Sequence, residues 1–132
     1  MKLIVGGDHL WRDAALIADI LDKCQKSTDE TLRIVPAPGR AGSLARRVAN
    51  RVGYTVVEPP QVVKGRGPAL EVYLDALVKA HQDADLMLVF HDSFFYRGKP
   101  KRTRTRRLAE AGIAQDMGII LVTHQHGTVE LN

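Results

Sequence analysis

The sequence predicts an α/β protein built on a parallel, doubly wound, five-stranded sheet, and two observations support this prediction. Short apolar runs alternate with helical spacing of apolar residues along all 132 residues, in the order βαβαβαβαβ. The run Asp85–Phe90 is almost continuously apolar, which is typical of a central parallel strand that is covered on both faces. We therefore expect one three-layer domain over residues 1–132, because this length is close to the commonest domain size.

Each element is predicted from its own pattern. Five apolar runs between breakers are expected to be strands: Lys2–Gly6, Thr31–Val35, Tyr54–Val57, Asp85–Phe90 and Gly118–Thr123. Apolar residues at helical spacing lie between these strands and predict helices over 14–24, 44–52, 70–81 and 108–112. Asp13 is the expected N-cap of the first helix, Ser43 is that of the second, and Gly53 ends the second. The tail His124–Asn132 shows no clear period and is expected to be loosely held. This arrangement is Rossmann-like.

The charge of the chain is concentrated in one segment. The formal net charge is +4, from 19 basic and 15 acidic residues. Seven basic residues with no acid among them lie in 97–107, and the rest of the chain carries 12 basic against 15 acidic residues. These seven are Arg97, Lys99, Lys101, Arg102, Arg104, Arg106 and Arg107. A local cluster of this kind indicates an anionic partner rather than a generally basic surface.

The cellular location is predicted from features that the sequence does not have. Cys24 is the only cysteine, so no intramolecular disulfide can form, and its place on an apolar stripe favours a buried thiol. No segment approaches the roughly 20 apolar residues of a membrane span, and the first residues do not resemble a signal peptide. We expect a cytoplasmic protein with no membrane partner.

Two glycine-containing loops follow predicted strands, where parallel sheets bind their ligands. The first holds Gly6 and Gly7, which allow close approach of a ligand, and Trp11 and Arg12, which suit a planar ring and a phosphate. The alternative is that Trp11 covers the end of the core. The second loop carries four candidates at a helix N-terminus, where free N–H groups bind anions: Gly39, Arg40, Gly42 and Ser43. Its glycine spacing matches neither the phosphate loop nor the dinucleotide fingerprint, and the alternative is an ordinary strand–helix turn.

A third loop follows the central strand. It contains three consecutive aromatic residues, Phe94–Tyr96, and then the basic segment. Its ligand-binding candidates are His91, Asp92, Arg97, Arg102, Thr103 and Arg104. Cations beside aromatic rings suit either a phosphate or a nucleic acid, and the alternative is a solvated helix end. Cations at a helix start oppose the helix dipole, which favours a functional reason for them.

Acid–base chemistry has three candidates, chosen by position alone: Asp8, His91 and Asp92. His124 and His126 lie at strand-like spacing, but no further ligands accompany them, so we predict surface polar residues and no metal. No cofactor is predicted. The partner expected from these loops is a nucleotide-like or phosphorylated small molecule, held by a binding protein. The alternatives are a hydrolase of nucleotides or N-glycosidic bonds, and a nucleic-acid-binding protein.

Three segments, in this order and spacing, resemble the SLOG superfamily of Rossmann-like ligand-binding proteins, in particular its YspA-like members. The matching stretches are Leu3–Gly7 with Trp11–Asp13, then Val35–Ser43, and Asp85–Phe90 followed by Thr105–Ile113. The resemblance implies a pocket for a nucleotide-like ligand and favours self-association. It does not imply catalysis.

The third predicted helix generates a testable prediction of a homo-oligomer, most simply a dimer. Apolar residues occupy most of its circumference between Leu70 and His81, and a helix of this kind is normally buried on two sides. We expect light scattering at micromolar concentration to give about twice 14.6 kDa. Charged substitutions at Val72 and Ala76 should then give a folded monomer. A particle of monomer mass for the unmodified chain would refute the prediction.

Overall fold

The computed structural model describes residues 1–59, 67–96, 98–100 and 102–132. Its strands, in chain order, are β1 (Lys2–Gly7), β2 (Arg33–Pro36), β3 (Thr55–Val56), β4 (Leu86–Phe90), β5 (Phe95–Tyr96), β6 (Lys99–Pro100), β7 (Ile119–Thr123) and β8 (Gly127–Glu130). Its helices are α1 (Ala14–Lys26), α2 (Arg40–Val52), α3 (Gly67–Ala80) and α4 (Arg104–Ala114).

The main sheet has six strands in the order β3-β2-β1-β4-β7-β8, of which all but β8 run parallel. The chain builds outward from β1 through β2 to β3, then returns to place β4 on the other side of β1. The strand order therefore reverses between β1 and β4, as in doubly wound sheets. The predicted Rossmann-like α/β fold with three layers is confirmed.

The two faces of the sheet are covered by different helices. Along β1, Leu3 and Val5 belong to the hydrophobic cluster that contains the buried residues of α1 and α2. Ile4 belongs to the cluster formed with α3 and α4. The alternation follows from the two-residue repeat of a strand, and the apolar run in β4 divides in the same way. Both faces are therefore buried, and the loops at the carboxyl edge remain for a site.

The prediction of a loosely held tail, and with it the count of five strands, is wrong. After a turn at residues 124–126, β8 pairs with β7 in antiparallel register, with Leu121 opposite Val129. Asn132 then accepts a hydrogen bond from Ile119 N–H at 3.0 Å and donates one to the carbonyl of Met117 at 2.7 Å. Strand pairing through the backbone and bonds from an asparagine side chain require no apolar period, so the polar sequence of the tail does not reveal the strand.

The predicted helix ends are partly confirmed. Asp13 caps α1, its Oδ1 accepting from Leu16 N–H at 2.9 Å, and Gly53 ends α2 with φ of 99°. The predicted cap Ser43 is wrong, because α2 begins at Arg40 with Gly39 as its N-cap at φ 115°. A tight turn with a positive φ favours glycine, so the helix starts earlier than the first capping side chain.

Helix α3 buries less of its circumference than its sequence suggests. Tyr73, Leu74, Leu77 and Val78 are buried against the sheet and α4, whereas Val72 is 68% exposed. An apolar position thus remains uncovered on this chain, and self-association through it stays a prediction. The helices of the described ranges have 11 to 14 residues, and none is long and apolar enough to cross a membrane.

Candidate functional site

An open groove of about 1200 Å³ lies at the carboxyl edge of the sheet, where the strand order reverses. Its walls come from the loops after β1, β2 and β4, from the first turn of α4 and from the start of α3. This is the position at which open parallel sheets bind ligands. We call it the edge groove.

Glycines at the end of β1 allow the loops around the edge groove to come together. A Cβ atom on Gly7, whose φ is 153°, would overlap the backbone of Phe90 on the neighbouring strand. A Cβ atom on Gly6 would lie 2.5 Å from Cδ2 of Leu108 in α4. Gly7 lines the groove and Gly6 does not, so Gly6 serves helix–sheet packing.

A carboxylate and an imidazole meet at the floor of the edge groove. Oδ2 of Asp8, which follows β1, lies 3.6 Å from Nε2 of His91, which follows β4. The backbone N–H of Asp8 donates to the carbonyl of Phe90 at 2.9 Å, which holds the two loops side by side. The other carboxylate oxygen, Oδ1, accepts from Leu10 N–H at 3.1 Å. Two of the three acid–base candidates are therefore adjacent.

The ring of His91 is buried and held from a second side. Its Nδ1 lies 2.8 Å from Oγ1 of Thr105, which is also buried and belongs to the first turn of α4. The edge of the ring meets Phe94 with centroids 6.2 Å apart and planes at 82°. Phe94 is itself buried, so the first of the three aromatic residues belongs to the core and supports His91.

The N-terminus of α4 forms a positively charged wall. Thr103 caps the helix, its Oγ1 accepting from Arg106 N–H at 3.1 Å, and the first turn contains no acidic residue. Arg102 and Arg104 are exposed here, and within the described ranges neither has an acidic partner. Arg107 instead pairs with Asp75 of α3 at 2.5 Å. Because the positive end of the helix dipole is not neutralised, this wall attracts anions.

The N-terminus of α2 contributes less than its sequence suggests. Pro38 and Gly39 line the edge groove, but Arg40, Gly42 and Ser43 do not. A Cβ atom on Gly42 would overlap the carbonyl oxygen of Ala37, so this glycine allows the helix to pack against the preceding loop. The alternative of an ordinary strand–helix turn therefore accounts for most of this segment.

A smaller cleft of about 410 Å³ adjoins the edge groove and shares Asp8, Leu10 and Ser93 with it. It contains Trp11, Arg12 and Asp92, together with His124, which the sequence assigned to a loose tail. Trp11 is only 3% exposed, tilted against Phe90 and stacked on the ring of His124 with centroids 4.5 Å apart. This placement fits the alternative in which Trp11 covers the end of the core, since protein rings contact the indole.

His124 links three segments through two carboxylates. Its Nε2 lies 2.8 Å from Oδ2 of Asp13, the cap of α1, and its Nδ1 lies 2.6 Å from Oδ2 of Asp92. Its backbone N–H also donates to Asp92 Oδ1 at 2.7 Å. The strand-like spacing of His124 and His126 does not reflect a strand, because both lie in the turn between β7 and β8. We call Asp13, Asp92 and His124 the histidine clamp.

The clamp favours the charged form of each member. Hydrogen bonds to Asp13 and then Asp92 raise the pKa of His124. The pKa of Asp13 is lowered by the backbone N–H of Leu16 and then by His124. Partial burial opposes ionisation of Asp92, but the backbone and side-chain hydrogen bonds of His124 outweigh it and lower the pKa of that carboxyl. In its charged form, the clamp is an imidazolium between two carboxylates, and the imidazolium and the carboxylates stabilise each other's charge.

The predicted site residues divide into four groups. The edge groove brings together Gly7, Asp8, Gly39, His91, Arg102, Thr103 and Arg104. The adjoining cleft holds Trp11, Arg12 and Asp92, while Gly6, Arg40, Gly42 and Ser43 line neither cavity. Arg97 lies outside the described residues. Over the described ranges, no three His, Cys, Asp or Glu side chains are grouped to hold a metal ion.

Two contributors were missed by the sequence reasoning. Thr105 looks like one of two threonines in a basic run, and its contact with His91 spans 14 residues. His124 is 111 residues from Asp13. No local sequence pattern marks either residue as part of the site, because the contacts of each depend on which loops the sheet brings together.

Comparisons of the chain with protein-family models, with curated proteins and with solved structures find no match. The resemblance to the SLOG superfamily therefore stays a prediction. A function has to be argued from the geometry of the edge groove.

The histidine clamp generates a prediction for stability against pH. Because the pKa of His124 is raised above its ordinary 6.5, the protonated clamp stabilises the fold fully below that pH. This contribution is lost as the pH rises through the raised value. The stabilisation by the clamp is also lost in acid. The ordinary pKa of Asp13 and Asp92 is 3.8, and below that pH the stabilisation falls as the pH passes through the lowered pKa values of the two carboxyls. We expect His124→Gln to destabilise most between about pH 4 and 6.5.

The measurement is urea unfolding of both chains across this range. Burial, and then the charge of Lys2, lower the pKa of His81, which makes the fold less stable as the pH drops below 6.5. His81 is present in both chains, so the difference between them isolates His124. A difference that stays constant from pH 5 to 9 would show that the clamp is not charged.

Proposed function

We propose that the protein binds a phosphate-bearing small molecule of the nucleotide class in the edge groove. The observation that carries the proposal is the uncompensated N-terminus of α4, where Arg102 and Arg104 flank the cap Thr103 and no acid lies in the first turn. The phosphate would lie at this helix end. The rest of the ligand would extend toward Asp8 and His91.

The chemistry of α4 suits a phosphate in two ways. The first backbone N–H groups of a helix lack intrahelical partners and point toward an anion. Arginine side chains add planar, charge-assisted hydrogen bonds to phosphate oxygens, which are stronger than neutral ones. The groove volume of about 1200 Å³ accommodates a nucleotide-sized ligand, since small-molecule pockets commonly measure about 300–1000 Å³. The SLOG resemblance points to the same ligand class.

Binding is tested by calorimetric titration with nucleotides, cyclic nucleotides and ADP-ribose derivatives. For a ligand that binds, we expect Arg104→Gln to weaken affinity about tenfold or more, because a hydrogen bond to a charged group contributes roughly 1.5–3 kcal/mol. Arg51→Gln removes the same charge from the last turn of α2, which begins at the groove and runs away from it. That control should leave affinity unchanged.

Three results would overturn the proposal. The first is an absence of binding to the whole panel at millimolar concentration. The second is an equal loss of affinity in Arg51→Gln, which would indicate a general charge effect. The third is binding of an oligonucleotide, steeply weakened by salt, when no nucleotide binds. This last result would favour the nucleic-acid alternative, in which Phe95, 45% exposed, would stack on a base.

A second candidate function is hydrolysis of the bound ligand. The observation that favours it is the meeting of Asp8 and His91 at the groove floor, 3.6 Å apart and largely buried. In hydrolysis of an N-glycosidic bond, the oxygen of water forms the new bond to carbon while the carbon–nitrogen bond breaks. A proton must leave the water, and a proton must reach the leaving nitrogen. The carboxylate of Asp8 can accept the first and pass it on, while the imidazole of His91 can donate a hydrogen bond to the leaving group.

This activity predicts different effects for two aspartates. Asp8→Asn should reduce the rate of product formation at least a hundredfold, in line with the usual contribution of a general base, while the ligand still binds. Asp29→Asn is the matched control, because Asp29 is exposed and lines neither cavity. Chromatography of the incubated nucleotide panel measures both. Activity that survives in Asp8→Asn, or is lost equally in Asp29→Asn, contradicts the assignment.

A further inference from the structure

The imidazole of His91 has a different oxygen group near each ring nitrogen. Nδ1 lies 2.8 Å from the hydroxyl oxygen of Thr105, and Nε2 lies 3.6 Å from a carboxylate oxygen of Asp8. His91 and Thr105 are 4% and 2% exposed. The position of the ring proton is therefore decided inside the protein rather than by solvent.

The two neighbours have unequal hydrogen-bonding abilities. An ionised carboxylate only accepts, whereas a threonine hydroxyl both donates and accepts. A bare Nε2 would place its lone pair toward the carboxylate of Asp8, which costs free energy because the ring is buried and water screens the pair only weakly. A proton on Nε2 removes that conflict, and the lone pair of Nδ1 then accepts from Thr105.

We propose that Asp8 and Thr105 together hold neutral His91 in its Nε2–H tautomer, because the carboxylate disfavours a bare Nε2 and the hydroxyl donates its proton to Nδ1. Thr105 is then a positioning residue, which fixes the ring so that the Nε2 proton faces Asp8 and the edge groove. For the chemistry, the inference rests on the proposed hydrolysis. There Asp8 accepts the proton of the water, and Nε2–H of His91 donates a hydrogen bond to the leaving group without giving up its proton.

The first turn of α4 links this proton to the ligand. Arg104 projects to the exposed wall of the groove, while the next residue, Thr105, is buried against His91. Consecutive helix residues point about 100° apart, so one turn can present a cation outward and a hydroxyl inward. The β-branched side chain of threonine has few rotamers in a helix, which keeps the hydroxyl in place. Phosphate binding and proton placement thus depend on the same turn.

The test uses the full chain labelled with ¹⁵N and no ligand, at a pH where the ring is neutral. Long-range proton–nitrogen spectra distinguish a protonated ring nitrogen from a bare one, and His91→Gln identifies the signals of His91. We expect Nε2 protonated and Nδ1 bare. Asp8→Asn, whose amide can donate as well as accept, should produce a mixture of tautomers. Thr105→Val should keep Nε2 protonated but shift the signal of Nδ1, which loses its hydrogen bond, and Thr105→Ser should restore the original pattern.

Two results would overturn the inference. One is a protonated Nδ1 with a bare Nε2 in the unmodified chain, a result that does not depend on whether any variant of Asp8 or Thr105 folds. The other is a folded Asp8→Asn protein whose ring spectrum matches that of the unmodified chain. Neither depends on finding a ligand, so failure of the proposed function is a separate result. If hydrolysis is detected, Thr105→Val should lower kcat about tenfold with KM unchanged, because the Nε2–H donor is less well oriented in the transition state, and Thr105→Ser should restore it.

Discussion

The close pairing of β1 with β4 is the constraint on which the edge groove depends. The two strands run in parallel register from Leu3 opposite Leu86 to Gly7 opposite Phe90, and the N–H of Asp8 extends the contact to the carbonyl of Phe90. The next residues of each chain, Asp8 and His91, are therefore neighbours. A side chain at position 7 would overlap the backbone of Phe90 and separate them. One missing Cβ atom thus brings a carboxylate and an imidazole together.

The two helix starts beside the carboxyl ends of β1 and β4 differ in charge. Helix α1 is capped by the carboxylate of Asp13, which compensates the positive end of its dipole and is in turn bonded to His124. Helix α4 is capped by the neutral hydroxyl of Thr103 and surrounded by arginines. The start of α4 therefore suits an anion better than the start of α1 does.

The antiparallel strand β8 has a structural role beyond extending the sheet. Its pairing with β7 fixes the turn that carries His124, and this residue closes the adjoining cleft by linking the cap of α1 to the loop after β4. The loop that supplies His91 is thereby held from two directions, by α4 through Thr105 and by the turn through Asp92. A proton donor is effective only when its orientation is maintained, so these supports matter for any chemistry in the groove.

The sequence by itself determined the features that depend on neighbouring residues. The alternation of strand and helix periods specified the parallel sheet, Asp13 and Gly53 marked helix ends, and the basic segment indicated an anion-binding loop. Each of these follows from local backbone geometry or from local charge.

Other features were decided only by tertiary structure. Gly39 and Ser43 are both acceptable helix starts, and the packing of α2 against the loop at Ala37 selects the glycine. Trp11 is covered by His124, which stacks on it from the turn between β7 and β8, and the polar sequence of the tail does not indicate that β8 forms. The contacts of His91 with Asp8 and Thr105 join residues 83 and 14 positions apart. Such contacts arise from strand order and helix placement, which no local pattern encodes.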